Sequence, residues 1–539
     1  MFESVKALIV VFVVCVGAFV FARIAFGEFV SVKIMDRWRN VFLLSTVAAF
    51  LIPNFWVFLL VFGAIAALAA GREDVKPAIY LLLLFAVPAA GERVPGFAGI
   101  RNFLNLAPYN ILAIAVLFPL LFAGGKTREK TRTGMLADSC FIAFSVLSLA
   151  LAFRDTTMTD GVRRFSTYFL TAFGPYLVFS RYCWSKENLK IATIACVTPL
   201  VALSGVGLVE TLLSWHVYVN AVDNWNISFF TRYLARSGFL RAYASVLGPI
   251  TFGLFLTVGF ALSLSVLAAS KRKLFPLMAV AALGVGLIVT FSRGPWIGAA
   301  FGAFVIAATM DRPLTGLMRL AGAGFVTTIA LLMTPMGPKL ISMLPFIGDV
   351  EPNTISYRQN LFEVGWAYVM KYPFFGSEGY LNAPEMQSLV QGQGIIDIVN
   401  SYLQVALDKG IVGLALFVGV SGFSALNGLG AIKRARAIDP DYAIYVQGWV
   451  AALFGALLTL ATTTNVNAQI AEVHWLLCGI CVGAARSVAL AGRANAARGE
   501  SDSGDDPPEP PGGRPAKTRA ASGPSPASLP PHLRQYARR

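Results

Sequence analysis

Residues 249–310 read PITFGLFLTVGFALSLSVLAASKRKLFPLMAVAALGVGLIVTFSRGPWIGAAFGAFVIAATM. Three apolar runs, at 247–268, 274–291 and 295–310, are separated by two different breaks. The first break is Lys271-Arg272-Lys273; the second is a tight turn carrying Arg293 and followed by Trp296. At about 1.5 Å per helical residue, runs of this length approach or cross a hydrocarbon core about 30 Å thick. A cluster of cations at one break and an interfacial tryptophan at the next is the pattern of helices that cross a membrane and return.

The pattern extends over most of the chain. Of its 539 residues, 56% are hydrophobic and only 14% are charged, against about 25% charged in soluble domains. Apolar runs predict further spans near 6–26, 41–70, 77–90, 107–123, 136–152, 166–180, 189–210, 318–334, 408–428, 442–463 and 471–490. The run at 41–70 reads as one span or as two short helices broken at Pro53, which leaves the side of the N-terminus open. The fold class expected is an all-α polytopic membrane protein with about 14 transmembrane helices and a large, partly helical outer loop. The first apolar stretch has neither a charged leading region nor a small-residue cleavage site, so no cleavable signal peptide is expected.

Sidedness follows from the basic loops. KTREKTR (126–132), KRK (271–273) and KRAR (433–436) fall on alternate loops and share a face with the C-terminus. The positive-inside rule assigns that face to the cytoplasm. Three regions result: an N-terminal bundle at 1–210, a core at 211–491 with outer loops 211–246 and 335–407, and a tail at 492–539. The tail is rich in Pro, Gly, Ser and charge and is expected to be disordered. Its end, HLRQYARR (532–539), offers cations to anionic lipid.

Several classes are excluded. The three histidines, His216, His474 and His532, cannot supply a histidine-rich metal site, and the cysteines lie in apolar segments without ligand-like neighbours. Neither a metal nor a cofactor is expected. The net charge of +15 is distributed beside the spans, unlike the single basic patch of a nucleic-acid-binding protein.

The outer segments favour arginine; their lysines are Lys339 and Lys371. Cations on the outer face run against the topology bias. A guanidinium keeps its charge when partly buried and grips phosphate through two hydrogen bonds. Arg232, Arg236 and Arg241 precede the span at 247–268, and Arg293 sits close to hydrocarbon, where an isolated cation is costly. Arginines near span ends also anchor in headgroups, which is their ordinary role. The large loop contains SYRQNLFEVGWAYVMKYPFFGSEGY (356–380), read as an interfacial amphipathic helix that starts near Arg358 and ends before Pro373. It supplies Glu363, Glu378, Glu385 and Asp397, and leads into IIDIVNSYLQVALDKGIVG (395–413). On a helix, Asp397, Asn400, Gln404 and Asp408 would share one face. A carboxylate beside clustered cations can take a proton from a hydroxyl while the cations hold a leaving phosphate.

The order of these segments resembles the O-antigen ligase and O-antigen polymerase superfamily. An arginine-bearing outer loop precedes a span, SRGPWIG joins two spans, and YPFFGSEGY leads to NSYLQVALDKGIVG, together covering about 230–425. The resemblance implies a GT-C-like glycosyltransferase of the bacterial inner membrane, with the large loop periplasmic. Its reaction would transfer a glycan from undecaprenyl diphosphate to an acceptor hydroxyl without a metal. On this basis Arg236, Arg241, Arg293 and Arg358 are expected at the diphosphate. Asn400, Ser401 and Tyr402 fall in the acceptor-side motif. Ligases of this superfamily carry a histidine where this chain has Val399, so Asp397 is the first candidate base and Glu378 the second, with Arg293 assisting catalysis. The missing histidine favours a surface-polysaccharide or exopolysaccharide repeat-unit polymerase over a ligase acting on lipid A-core; a transporter of lipid-linked oligosaccharide is the rival from another class. Implied partners are the lipid-linked oligosaccharide, a glycan acceptor, membrane lipids, and a flippase with chain-length or export proteins.

Overall fold

The computed structural model describes residues 2–95, 102–122, 131–227, 234–236, 238–333, 337, 352–390, 396–463 and 468–503. Arg232, Lys339, the KTREK stretch at 126–130, His532 and the rest of the tail from 504 lie outside the described residues.

The architecture is nearly all helix. The chain opens with α1 (Phe2–Ala25), α2 (Val32–Leu51), α3 (Phe55–Gly71) and α4 (Lys76–Leu83), then a hairpin of β1 (Glu92–Pro95) and β2 (Asn102–Leu106). There follow α5 (Pro108–Phe122), α6 (Arg132–Ala152), α7 (158–181) and α8 (Lys186–Leu213). A second small hairpin, β3 (Ala235–Arg236) with β4 (Phe239–Leu240), precedes α9 (Pro249–Ala269), α10 (Leu274–Val289), α11 (Arg293–Ala308) and α12 (Pro313–Leu332). The loop helix α13 (Pro352–Lys371) is followed by α14 (Ser401–Ile438), α15 (Pro440–Leu460) and α16 (Ala468–Ser503). Among the described residues, seven helices are long and apolar enough to cross a membrane, and α3, α5, α10 and α11 are shorter apolar helices. Large apolar side chains face outward on the bundle, including Val13, Leu60, Leu68 and Val146, while Trp38, Trp184 and Trp449 are fully buried inside it. A lipid environment accounts for that outward apolar surface.

Two expected spans take instructive forms. The run at 41–70 is two helices, broken at 52–54, where Pro53 has no N–H and Asn54 caps α3 by accepting from the amides of Trp56 and Val57. The run at 77–90 is helical only as far as Leu83, and the rest is turn and irregular chain. Thr46 and Ser245 donate hydroxyl hydrogen bonds to the carbonyls of Ala86 and Phe85, and Ala89 N–H donates to Ser245 O. Neighbouring groups thus satisfy backbone that a helix would have satisfied internally.

Contacts between loops define two ends. At one, Lys271 N–H donates to Glu28, Arg436 pairs with Asp311, and Lys186 pairs with Asp439. At the other, Ser4 Oγ donates to Asn220 O, and Lys6 lies 5.3 Å from the Trp215 ring centroid. The beginning of α1 therefore joins the loop after α8, at the end opposite the 271–273 basic loop. Lys6 adds a lysine to the arginine-favouring end.

The core of the bundle packs closely through small residues. A side chain at Gly298 on α11 would lie 2.6 Å from Gly455 O on α15, and one at Gly253 on α9 would lie 2.6 Å from Pro295. Such close approach is how helices associate in lipid, where burial of apolar area gives little drive. It also fixes the start of α11, where Arg293 stands.

Candidate functional site

The site is built on the turn between α10 and α11. Thr290, Phe291 and Ser292 turn the chain, with Phe291 in the left-handed region at φ 45°. A bulky residue there is strained, and the β3–β4 hairpin holds it in place. Arg236 donates to Phe291 O at 2.9 Å, and Phe239 stacks on the Phe291 ring at 5.6 Å. Arg241 donates through Nε to Thr290 O at 3.2 Å and through Nη2 to Ser292 Oγ at 2.8 Å. Ala242 N–H completes the clasp on Val289 O at 2.9 Å.

Arg293 opens α11 immediately after this turn. Arg358, on α13, interacts electrostatically with both Arg293 and Asp397. The four arginines named from the sequence are therefore connected: Arg236 and Arg241 through the turn, Arg293 at its exit, and Arg358 from the loop helix. Burial, and then the neighbouring Arg236, lowers Arg241 to about 10, which still leaves it charged at neutral pH. Burial also lowers Arg358; Asp397 opposes this and Arg293 adds to it. Arg241 under the influence of Arg236, and Arg358 under that of Arg293, are neighbouring cations suited to a multiply charged anion.

Asp397 stands beside Arg358. Burial pushes its carboxyl above the usual range, against the pull of Arg358. Tyr357 fixes the backbone here: its hydroxyl donates to Asp397 O at 3.0 Å and accepts from Asp397 N–H at 3.1 Å. Glu378 has a different setting, since its ion-pair partner is Arg164 on α7.

The 395–413 stretch departs from the shared-face expectation. Helix α14 begins only at Ser401, so Asp397 and Asn400 precede it and the four polar residues are not a helical stripe. Asn400 is the cap, accepting from the amides of Tyr402 and Leu403. Ser401 Oγ donates to Thr463 O at 2.7 Å, and Tyr402 Oη donates to Leu457 O at 2.9 Å. These three side chains tie α14 to itself and to the end of α15. At Gly410 α14 is interrupted, with φ 70° and ψ −173°. There the YPFFG turn (372–376) locks in: Ile411 N–H donates to Pro373 O at 2.7 Å and Ser377 N–H to Leu407 O at 2.9 Å. The lock sets the large loop, and with it Arg358 and Asp397, against the bundle.

One positioning group escaped the sequence reading. Glu210, fully buried near the end of α8, accepts from the amides of Val217 at 3.2 Å, Tyr243 at 3.1 Å and Ala244 at 3.0 Å. His216 Nδ1 lies 3.4 Å from it and stacks on Tyr243 with centroids 3.7 Å apart. The carboxyl thereby anchors the segment that carries Arg241. An acid inside the apolar run LVETLL (208–213) was the available signal.

A polytopic helical bundle with a cationic site at one end is the class these features define. Residues 277–418 match the model of the O-antigen ligase family, which supports the resemblance to the O-antigen ligase and polymerase superfamily. Proteins of this kind have glycosyltransferase-type activity on a lipid-linked glycan and an acceptor. The matched residues include Arg293, Arg358, Glu378, Asp397 and the 400–402 motif; Arg236 and Arg241 lie upstream of them. No curated protein matches the chain.

Proposed function

We propose that this protein is an inner-membrane glycosyltransferase that moves a glycan from undecaprenyl diphosphate to an acceptor hydroxyl at the periplasmic face, acting as a repeat-unit polymerase. The observation that carries the reading is the linked set Arg236, Arg241, Arg293 and Arg358 with Asp397 beside it. In the reaction the acceptor oxygen bonds to the anomeric carbon as the bond from that carbon to the diphosphate oxygen breaks. Arg293 and Arg358 take up the charge that develops on the leaving diphosphate. Asp397 accepts the hydroxyl proton late in the transition state; its raised carboxyl makes it a better base than an exposed aspartate. Glu378 is the second candidate, and its pairing with Arg164 counts against it. The absence of histidine at Val399 supports polymerase over ligase.

The test is deletion of the protein followed by analysis of lipid-linked intermediates. Single repeat units accumulating on the carrier at the periplasmic leaflet are expected. Long polymer stranded on the carrier would establish a ligase instead, and accumulation restricted to the inner leaflet would establish a transporter.

A further inference from the structure

At the far end of α11 from Arg293, on the side of the 271–273 basic loop, the bundle has a concavity that the proposed reaction does not use. It has a volume of about 390 Å³ and lies where the turn between α11 and α12, the first turns of α12, the end of α14 and the start of α15 meet. Arg312, Arg319 and Arg436 line it, and Asp311 is the one carboxylate in the lining.

Hydrogen bonds from two helices hold the floor. Gln447 Nε2 donates to Ile306 O and to Thr309 Oγ1, both at 2.7 Å. Arg436 donates to Thr309 O at 2.7 Å and pairs with Asp311 at 2.5 Å. Asp311 is thereby occupied. Arg312 and Arg319 form no ion pair among the described residues, so the lining carries two positive charges in excess.

The two arginines are set at different depths. Arg312 O accepts from Gly316 N–H at 3.0 Å, which puts Arg312 at the mouth of α12. Arg319 stands two turns on, about 10 Å along the axis. A cation at that depth of a span is costly without a counter-charge, and a guanidinium grips phosphate oxygens through two hydrogen bonds. Leu314 and Met318, between the two arginines in sequence, are 77% and 68% exposed. Residues 321–330 are exposed throughout. An acyl chain can therefore lie along α12 while its headgroup enters the concavity; a free anion gains nothing from that apolar flank. Basic pockets between spans on the side of the basic loops suit anionic headgroups.

We propose that this concavity binds the headgroup of an anionic phospholipid with two phosphodiesters, a lipid of the cardiolipin class, whose charges balance Arg312 and Arg319. The bound lipid fastens the base of α12, which packs on α11, to the ends of α14 and α15. This assignment is independent of the glycosyltransferase reading.

The test is native mass spectrometry of the purified full-length protein titrated with tetraoleoyl cardiolipin, with dioleoylphosphatidylcholine as the neutral control. Wild-type protein is expected to bind cardiolipin more tightly than phosphatidylcholine. Loss of one arginine near a membrane surface weakens anionic-lipid binding about fivefold. Arg312→Gln/Arg319→Gln should therefore bind cardiolipin about 25-fold more weakly, with phosphatidylcholine unchanged. Arg312→Gln alone, on exposed chain before α12, is the second variant if the double variant does not fold, and should show the fivefold loss. Equal cardiolipin affinity in wild type and a folded variant would overturn the proposal, as would equal affinity of wild type for the two lipids. Inorganic phosphate in molar excess is expected to leave the cardiolipin bound, measured against chloride at equal ionic strength. Displacement by phosphate would make the ligand a free anion and overturn the lipid assignment.

Discussion

Replacing Glu210 by glutamine removes no volume and tests whether the Arg241 segment is held from below. One carboxyl oxygen accepts from the amides of Tyr243 and Ala244, and the other accepts from Val217. Glutamine has one acceptor oxygen and one amino group. Its better orientation keeps the Tyr243 and Ala244 bonds and turns the amino group on the Val217 N–H. One hydrogen bond is then lost and a buried donor faces another donor, at a cost of about 1–3 kcal/mol. Relief of that clash would shift the chain near Arg241, whose two bonds of 3.2 and 2.8 Å hold the 290–292 turn. A misplacement of about 1 Å at a reacting group can lower rates about 100-fold, so a shift of about 0.5 Å corresponds to roughly tenfold. The assay is initial-rate transfer in proteoliposomes, with thermal unfolding of the same preparation. A lower kcat with little change in KM, together with a lower melting temperature, is expected. Wild-type stability and wild-type kcat in Glu210→Gln would refute the positioning role.

Gly410→Ala should destabilise the protein by about 3 kcal/mol, because its backbone region is accessible almost only to glycine and a Cβ there would lie 2.3 Å from the Phe374 carbonyl carbon; faster proteolysis at the 372–376 turn and a lower melting temperature would register it. Arg358→Gln removes the cation that pulls the Asp397 carboxyl down. The carboxyl then rises further, and since the base works ionised, the acid limb of the pH–rate profile should move to higher pH; an unmoved limb would separate Asp397 from proton transfer. Asp397→Asn should lower the transfer rate at least about 100-fold, the scale of general-base catalysis, whereas Glu378→Gln, which breaks a salt bridge to Arg164, should cost less than about tenfold at pH 7. The reverse order would make Glu378 the base.

Most of the bundle was legible because apolar length and basic loops report directly on a hydrocarbon slab. The run at 77–90 was misread as a full span because composition does not reveal hydrogen-bond partners. There Thr46 and Ser245, distant in sequence, satisfy backbone that a helix would otherwise need to satisfy. The arginines were singled out because cations on the expected outer face run against the topology bias; the fold links Arg236 and Arg241 to the 290–292 turn and sets Arg358 under the influence of Arg293, and their part in binding diphosphate is a proposal. The 395–413 stretch was only half legible. Its polar residues were visible, but a helical face was inferred where Asn400 in fact caps the helix and leaves Asp397 outside it. The role of Glu210 depends on contacts across long sequence distances, which periodicity does not encode.

The most direct measurement is polymer formation by Arg293→Ala, a variant of the residue at the centre of the cationic set, compared with wild type at equal membrane abundance. Loss of polymer with single lipid-linked repeat units accumulating is the predicted result. Polymer of wild-type amount and length from a stably inserted Arg293→Ala protein would contradict the account.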